Sequence, residues 1–222
     1  MPCSCVLLLA RLAQNGIVVN NESSEIIQML NSEFNEFAEF PNIDLAPSAI
    51  QPAADAVNEW IYHDINNGVY KCGFAHSQEA YDDAVTNLFN SLDKVENILV
   101  KQRFIAGDQL TLADIRLFVT LVRFDAVYVT HFKYSKYTIR ERPVLQQYLL
   151  DVYQTRGVAD TVNMDHIRNH YFRSHESVNP FRIVAAAPIA LNLDEPSTRA
   201  EQFPGTVRFG ASQGETGISV VV

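Results

Sequence analysis

Three groups of side chains in this sequence have the types and spacing that chemistry requires. Glu22 and Ser23 open the run NNESSEIIQML, in which Ile26, Ile27 and Leu30 begin an apolar helical face. The first turn of such a helix leaves backbone N–H groups unpaired at the positive end of its dipole, a seat for a carboxylate. The same residues also make an ordinary helix cap, so both readings stand. The cysteines are Cys3, Cys5 and Cys72. A thiol reacts as its thiolate, which needs a helix N-terminus or a nearby cation. Cys3 and Cys5 have no basic neighbour before Arg11, and Cys72 follows Lys71 but is equally a small core residue. His166 and His170 lie one helical turn apart, followed by His175. No carboxylate or thiolate stands at the matching spacing, so no metal is expected. Lys133, Lys136, Arg140 and Arg142 form a basic cluster that reads as an interface or, more plainly, as a solvated face.

The elements that must position these groups belong to a folded domain. The chain has 222 residues, 47% of them apolar, enough for a full core. A net charge of −9 and a pI near 5.1 oppose nucleic acid or an anionic membrane as partner. Three cysteines make no disulfide framework, which points to a reducing, cytoplasmic setting. MPCSCVLLLARLA has a short apolar run broken by Arg11 and no basic segment before it, unlike a signal peptide. No later stretch approaches the ~18 apolar residues of a membrane helix.

The periodicity is helical. Val18 and Val19 read as a strand tip before the first helix. Residues 52–66 place Ala56, Trp60 and Ile61 near one face, with Asn66, Asn67 and Gly68 as the stop. Ser77 caps a long helix carrying Tyr81, Ala84, Val85, Leu88, Phe89, Leu92, Val95, Ile98 and Leu99 at three- and four-residue steps. In GDQLTLADIRLF, Thr111 caps a helix, Asp114 reaches back to it, and Leu110 with Ile115 forms a staple. That motif is folding machinery rather than chemistry. The helix runs to about Tyr128, a basic loop follows, Pro143 opens the next helix, and Arg156-Gly157 closes it. MDHIRNHYFRSH gives one more helix. From about Asn179 prolines and glycines predict an ordered wrap and then a disordered tail from about residue 195.

The segments NNESSEII, NNGVYKCGFAHSQEAYDDAV, GDQLTLADIRLFVTLVRFDAVYVTHFK and TVNMDHIRNHYFRSH closely resemble the glutathionyl-hydroquinone reductases, the xi class of glutathione transferases. The resemblance spans roughly residues 17–190. It implies a mainly α fold: a glutathione-transferase C-terminal helical bundle over 41–178, a remnant of a thioredoxin-like α/β domain over 1–40, and an irregular tail over 179–222. It implies glutathione as co-substrate, with Glu22 and Ser23 holding its γ-glutamyl end. It further implies hydroquinone conjugates as substrates, held by Tyr70 and Tyr171, and a homodimer.

The family's nucleophile is a cysteine in a Cys-Pro-Trp turn. This sequence contains no Cys-Pro, and its only tryptophan is Trp60. The expectation is therefore that only the last strand and helix of the thioredoxin-like domain are retained and that catalysis is impaired. An apolar scar should then lie exposed on the helical face. Two readings follow: a glutathionyl-hydroquinone reductase working through a cysteine mixed disulfide, or a non-catalytic helical dimerisation or interaction domain left from such an enzyme.

Overall fold

A computed structural model describes residues 20–134, 136–186, 191–206 and 208. The strand tip at Val18 and Val19, and both Cys3 and Cys5, lie outside them. The helices are α1 (Ser23–Ser32), α2 (Gln51–Ile61), α3 (Gly68–Gly73), α4 (Gln78–Leu99), α5 (Leu112–Arg123), α6 (Val129–His131), α7 (Pro143–Tyr153), α8 (Met164–Ser174) and α9 (Arg199–Gln202). Among the described residues there is no strand, only a single bridge between Phe104 and Gly107. None of these helices is long and apolar enough to cross a membrane.

Local chemistry sets the boundaries. Ser77 Oγ accepts from the Ala80 N–H at 3.1 Å and starts α4, whose Leu88, Phe89, Leu92, Val95 and Leu99 are buried. The helix expected over 52–66 divides: α2 ends at Ile61 and a wide π-turn carries Tyr62–Asn66. Its inward face is Ala54, Ile61 and Ile65, whereas Ala56 is exposed. The wide turn inserts a residue and turns Asn66 toward α5, where its amide donates to the Arg116 carbonyl (2.9 Å) and Thr120 Oγ1 (2.6 Å).

Asp114 is the polar pin of the bundle. Its carboxylate is fully buried and accepts from Ile105 N–H (2.8 Å), Thr111 N–H (2.9 Å), Thr111 Oγ1 (3.0 Å) and Tyr148 OH (2.8 Å). The start of α5, the turn before it and the middle of α7 are thereby tied to one group. A second π-turn, Phe124–Tyr128, joins α5 to α6. Its Asp125 accepts from the N–H groups of Ile139 (2.7 Å) and Arg140 (3.0 Å), which holds the loop between α6 and α7.

Residues 196–206 differ from the expected disorder, while the rest of the expected tail, 207 and 209–222, lies outside the described residues. Arg199 is 1% exposed, and its guanidinium donates to the carbonyls of Leu99 (3.0 Å), Gln102 (2.6 Å) and Arg103 (2.7 Å). It supplies the partners that the end of α4 lacks and suits the negative pole there. Arg103 pairs with the buried Asp151 at 2.8 Å, and Arg208 reaches the same carboxylate at 3.0 Å. One buried cation anchors a stretch whose prolines and glycine read as unstructured.

Replacing Asp114 by Ala leaves four buried donors without an acceptor. An Asp114→Ala chain should lose roughly 4 kcal/mol in urea unfolding; a loss under about 1 kcal/mol would show that the pin is dispensable.

Candidate active site: a chain of tyrosine hydroxyls

VYKCGFA folds as α3 and the residues at its end, and each position has a separate task. Tyr70 and Phe74, one helical turn apart, stack with ring planes 5° apart. Cys72 faces the core at 3% exposure, and burial, only partly offset by a backbone hydrogen bond and Lys71, pushes its thiol up to about 11. At neutral pH it is a protonated core residue and not a nucleophile. Gly73 lies against Phe132 so closely that a Cβ there would stand 2.0 Å from a ring carbon. That missing side chain lets α3 meet the aromatic wall.

Phe132 is the centre of the wall. Its ring lies 5.7 Å from Tyr70, 5.4 Å from Tyr128, 6.3 Å from Tyr171, 5.6 Å from Phe74 and 5.9 Å from His175. Beside it three hydroxyls are joined through the middle one. The Tyr171 hydroxyl, from α8, is 2.7 Å from that of Tyr70 and 2.8 Å from that of Tyr128. Burial raises the Tyr128 phenol well above its ordinary range, with Tyr171 adding to the effect; burial and then Tyr70 raise Tyr171. Both are protonated at neutral pH. Beside them His131 Nε2 lies 3.1 Å from His175 Nδ1. Burial, then His175, lowers His131 to about 4, and burial and His170 lower His175. The pair is neutral, one ring donating and the other accepting.

The expected site residues divide into two places. Tyr70 and Tyr171, 101 positions apart in sequence, come into direct contact. Glu22 and Ser23 stand exposed at the start of α1, and no hydrogen bond among the described residues joins them to the tyrosines. The Glu22 carboxylate caps its own helix, accepting from the Ser24 N–H (3.4 Å) and hydroxyl (3.2 Å). His166 and His170 are exposed, and among the described residues no three His, Cys, Asp or Glu side chains are grouped as metal ligands. In the basic cluster Arg142 pairs with Glu96 and with Asp93 (3.2 Å), and Lys136 lies 5.5 Å over Phe89. Tyr128, Phe132, Gly73 and His131 were not picked out by type and spacing. The signal available was Tyr128 and Phe132 at i,i+4 in RFDAVYVTHFK.

The comparisons with known proteins fit this architecture. A family model described as "Glutathione S-transferase, C-terminal domain" matches residues 78–150. The curated glutathionyl-hydroquinone reductase YqjG of Escherichia coli K12 is 52% identical over 190 residues, covering 86% of this chain and 57% of that protein. The reductase PcpF of Sphingobium chlorophenolicum is 46% identical over 171 residues, covering 77% of this chain and 54% of that protein. The glutathione-bound structure of YqjG superposes with a TM-score of 0.78 at 48% identity, covering 90% of this chain and 68% of that one. The chain therefore belongs to the glutathione transferases, in the xi class whose members include the glutathionyl-hydroquinone reductases. It spans little more than half the length of these curated relatives.

Two outcomes test this geometry. Gly73→Ala forces its new methyl into Phe132 and should destabilise by about 2–3 kcal/mol in urea unfolding, with chemical-shift changes at Tyr70 and Tyr128; an unperturbed variant would deny the close contact. His131 has a folded pKa of about 4, below its ordinary 6.5. Its contribution to stability is present above about 6.5 and lost as pH falls toward about 4. His131→Gln should flatten that loss in pH-dependent melting.

Proposed function

We propose that the chain serves the glutathione-dependent reduction of glutathionyl-hydroquinones and supplies the face that holds the aromatic ring. The observation that carries this reading is the 2.7 Å contact between the Tyr70 and Tyr171 hydroxyls beside Phe74 and Phe132. A flat quinol stacks on such a wall, and a phenol at its edge can hydrogen-bond its oxygen or protonate the ring carbon that glutathione leaves.

A cysteine thiolate attacks the glutathione sulfur, and the aryl C–S bond breaks with its electron pair on carbon. That carbon takes a proton, leaving the hydroquinone and a mixed disulfide. A second glutathione thiolate attacks the mixed disulfide, forming glutathione disulfide and returning the cysteine thiolate. Among the described residues the only thiol is Cys72, which is buried and protonated. We therefore read the tyrosine cleft as the acceptor half of the site and expect weak catalysis from this chain alone. Glu22 and Ser23 are proposed for the γ-glutamyl end of glutathione, where first-turn amides favour a carboxylate. By themselves they offer few contacts, so affinity should be low. A cytoplasmic setting and a homodimer complete the proposal.

A second reading, a non-catalytic interaction domain, is favoured by exposed apolar rings and chains: Phe37 at 77%, Phe181 at 83% and Ile183 at 67% exposure.

A coupled assay with a glutathionyl-hydroquinone and glutathione separates the two. The 222-residue chain should show little turnover. Fusion of a thioredoxin-like domain carrying Cys-Pro-Trp should restore it, and Tyr70→Phe in that fusion should cut it about 100-fold. A folded fusion with no turnover would favour the interaction domain.

A further inference from the structure

Counting protons gives the tyrosine chain a direction. Each phenol donates one hydrogen bond. Tyr128 is 2% exposed, and among the described residues its oxygen meets only that of Tyr171. Were Tyr128 to accept from Tyr171, its own proton would be buried with no acceptor, which costs more than the bond returns. Tyr128 therefore donates to Tyr171. Tyr171 cannot then send its proton inward, and sends it 2.7 Å to Tyr70. Tyr70 is only half-buried, and its proton is left for a ligand in the proposed acceptor cleft.

We infer that Tyr128 is a positioning residue that fixes this direction, so that the cleft presents a donor backed by two more phenols and selects an aromatic oxyanion, a phenolate or hydroquinone anion, over the neutral phenol. The inference rests on reading the cleft as the aromatic acceptor site. Each donated bond polarises the next, so the outermost hydroxyl donates more strongly than a lone phenol in the same low-dielectric place. The charged and titratable groups around the chain agree with an anion. The charge of Arg123 acts favourably on a negative oxygen at Tyr171, while His131 and His175 are neutral, and His170 lies 5.3 Å from the Tyr171 ring.

The test uses the full chain and 4-nitrophenol, whose colour reports whether it is bound as acid or anion. The wild type should bind the anion preferentially, lowering the apparent acid pKa of the bound probe. Tyr70→Phe should reduce that preference about tenfold, through loss of its bond to a charged acceptor, and Tyr171→Phe about fivefold, through loss of the donor that polarises Tyr70. Tyr128→Phe keeps the ring packed on Phe132 and should reduce it about threefold. With Tyr171→Phe already present, Tyr128→Phe should change nothing further, because the chain is cut; a structural effect of Tyr128 would persist there. Site-specific 3-fluorotyrosine at position 128, a stronger donor of nearly the same shape, should raise the anion preference even if Tyr128→Phe fails to fold. A Tyr128 effect that is absent, or equal in both backgrounds, overturns the inference while leaving the acceptor site standing. A probe that fails to bind the folded wild type overturns both.

Discussion

The approach of Gly73 to the Phe132 ring is the constraint on which the site depends. Helix α3 is only six residues long, Gly68–Gly73, and its isolated turn would be marginal without packing. It is held because Gly73 has no side chain to keep it from the ring. Close contact there brings Tyr70 within reach of α8 and lets Phe74 complete the wall. Any larger residue would separate the two halves of the aromatic cluster, and with them the hydroxyls of Tyr70 and Tyr171. The same contact explains why VYKCGFA alternates between wall and core: Tyr70 and Phe74 stack in the aromatic wall, whereas Val69 and Cys72 are buried.

The rest of the bundle keeps that contact in register through buried acids and arginines. Asp114 and Asp125 each accept two backbone N–H groups, and each ties a helix end to a loop. Burial raises both carboxyls while the donated hydrogen bonds oppose it, the balance expected of a buried carboxylate acting as an acceptor. Asp125 lies in the π-turn that ends in Tyr128. The loop anchor and one end of the hydroxyl chain are therefore set by a single short segment. Asp151 with Arg103, and Arg199 over the end of α4, do the same for the chain after α8.

The caps at Ser77 and Thr111 with Asp114, and the helix opened by Pro143, were legible because capping and proline act locally in sequence. The resemblance singled out Tyr70 and Tyr171, which the fold brings together. Tyr128 was not legible, because it is one of nine tyrosines and its role rests on a distance to a helix 43 residues away. The π-turns were missed because the apolar pattern over 52–66 and 112–128 continues through them with only one extra residue. Arg199 was missed for a different reason. Composition reports how much of a segment is proline and glycine, but not that a single cation meets three carbonyls.

The central claim is a directed chain of hydroxyl protons from Tyr128 through Tyr171 to Tyr70, and it can be observed without any ligand. Proton NMR of the chain labelled at tyrosine Cζ resolves phenolic protons that exchange slowly with water. The account predicts two protected hydroxyl protons, on Tyr128 and Tyr171, with the Tyr70 hydroxyl exchanging fast, and loss of protection at Tyr128 when Tyr171 becomes Phe. Fast exchange at all three positions, or a protected proton on Tyr70 with an exchanging one on Tyr128, would contradict it.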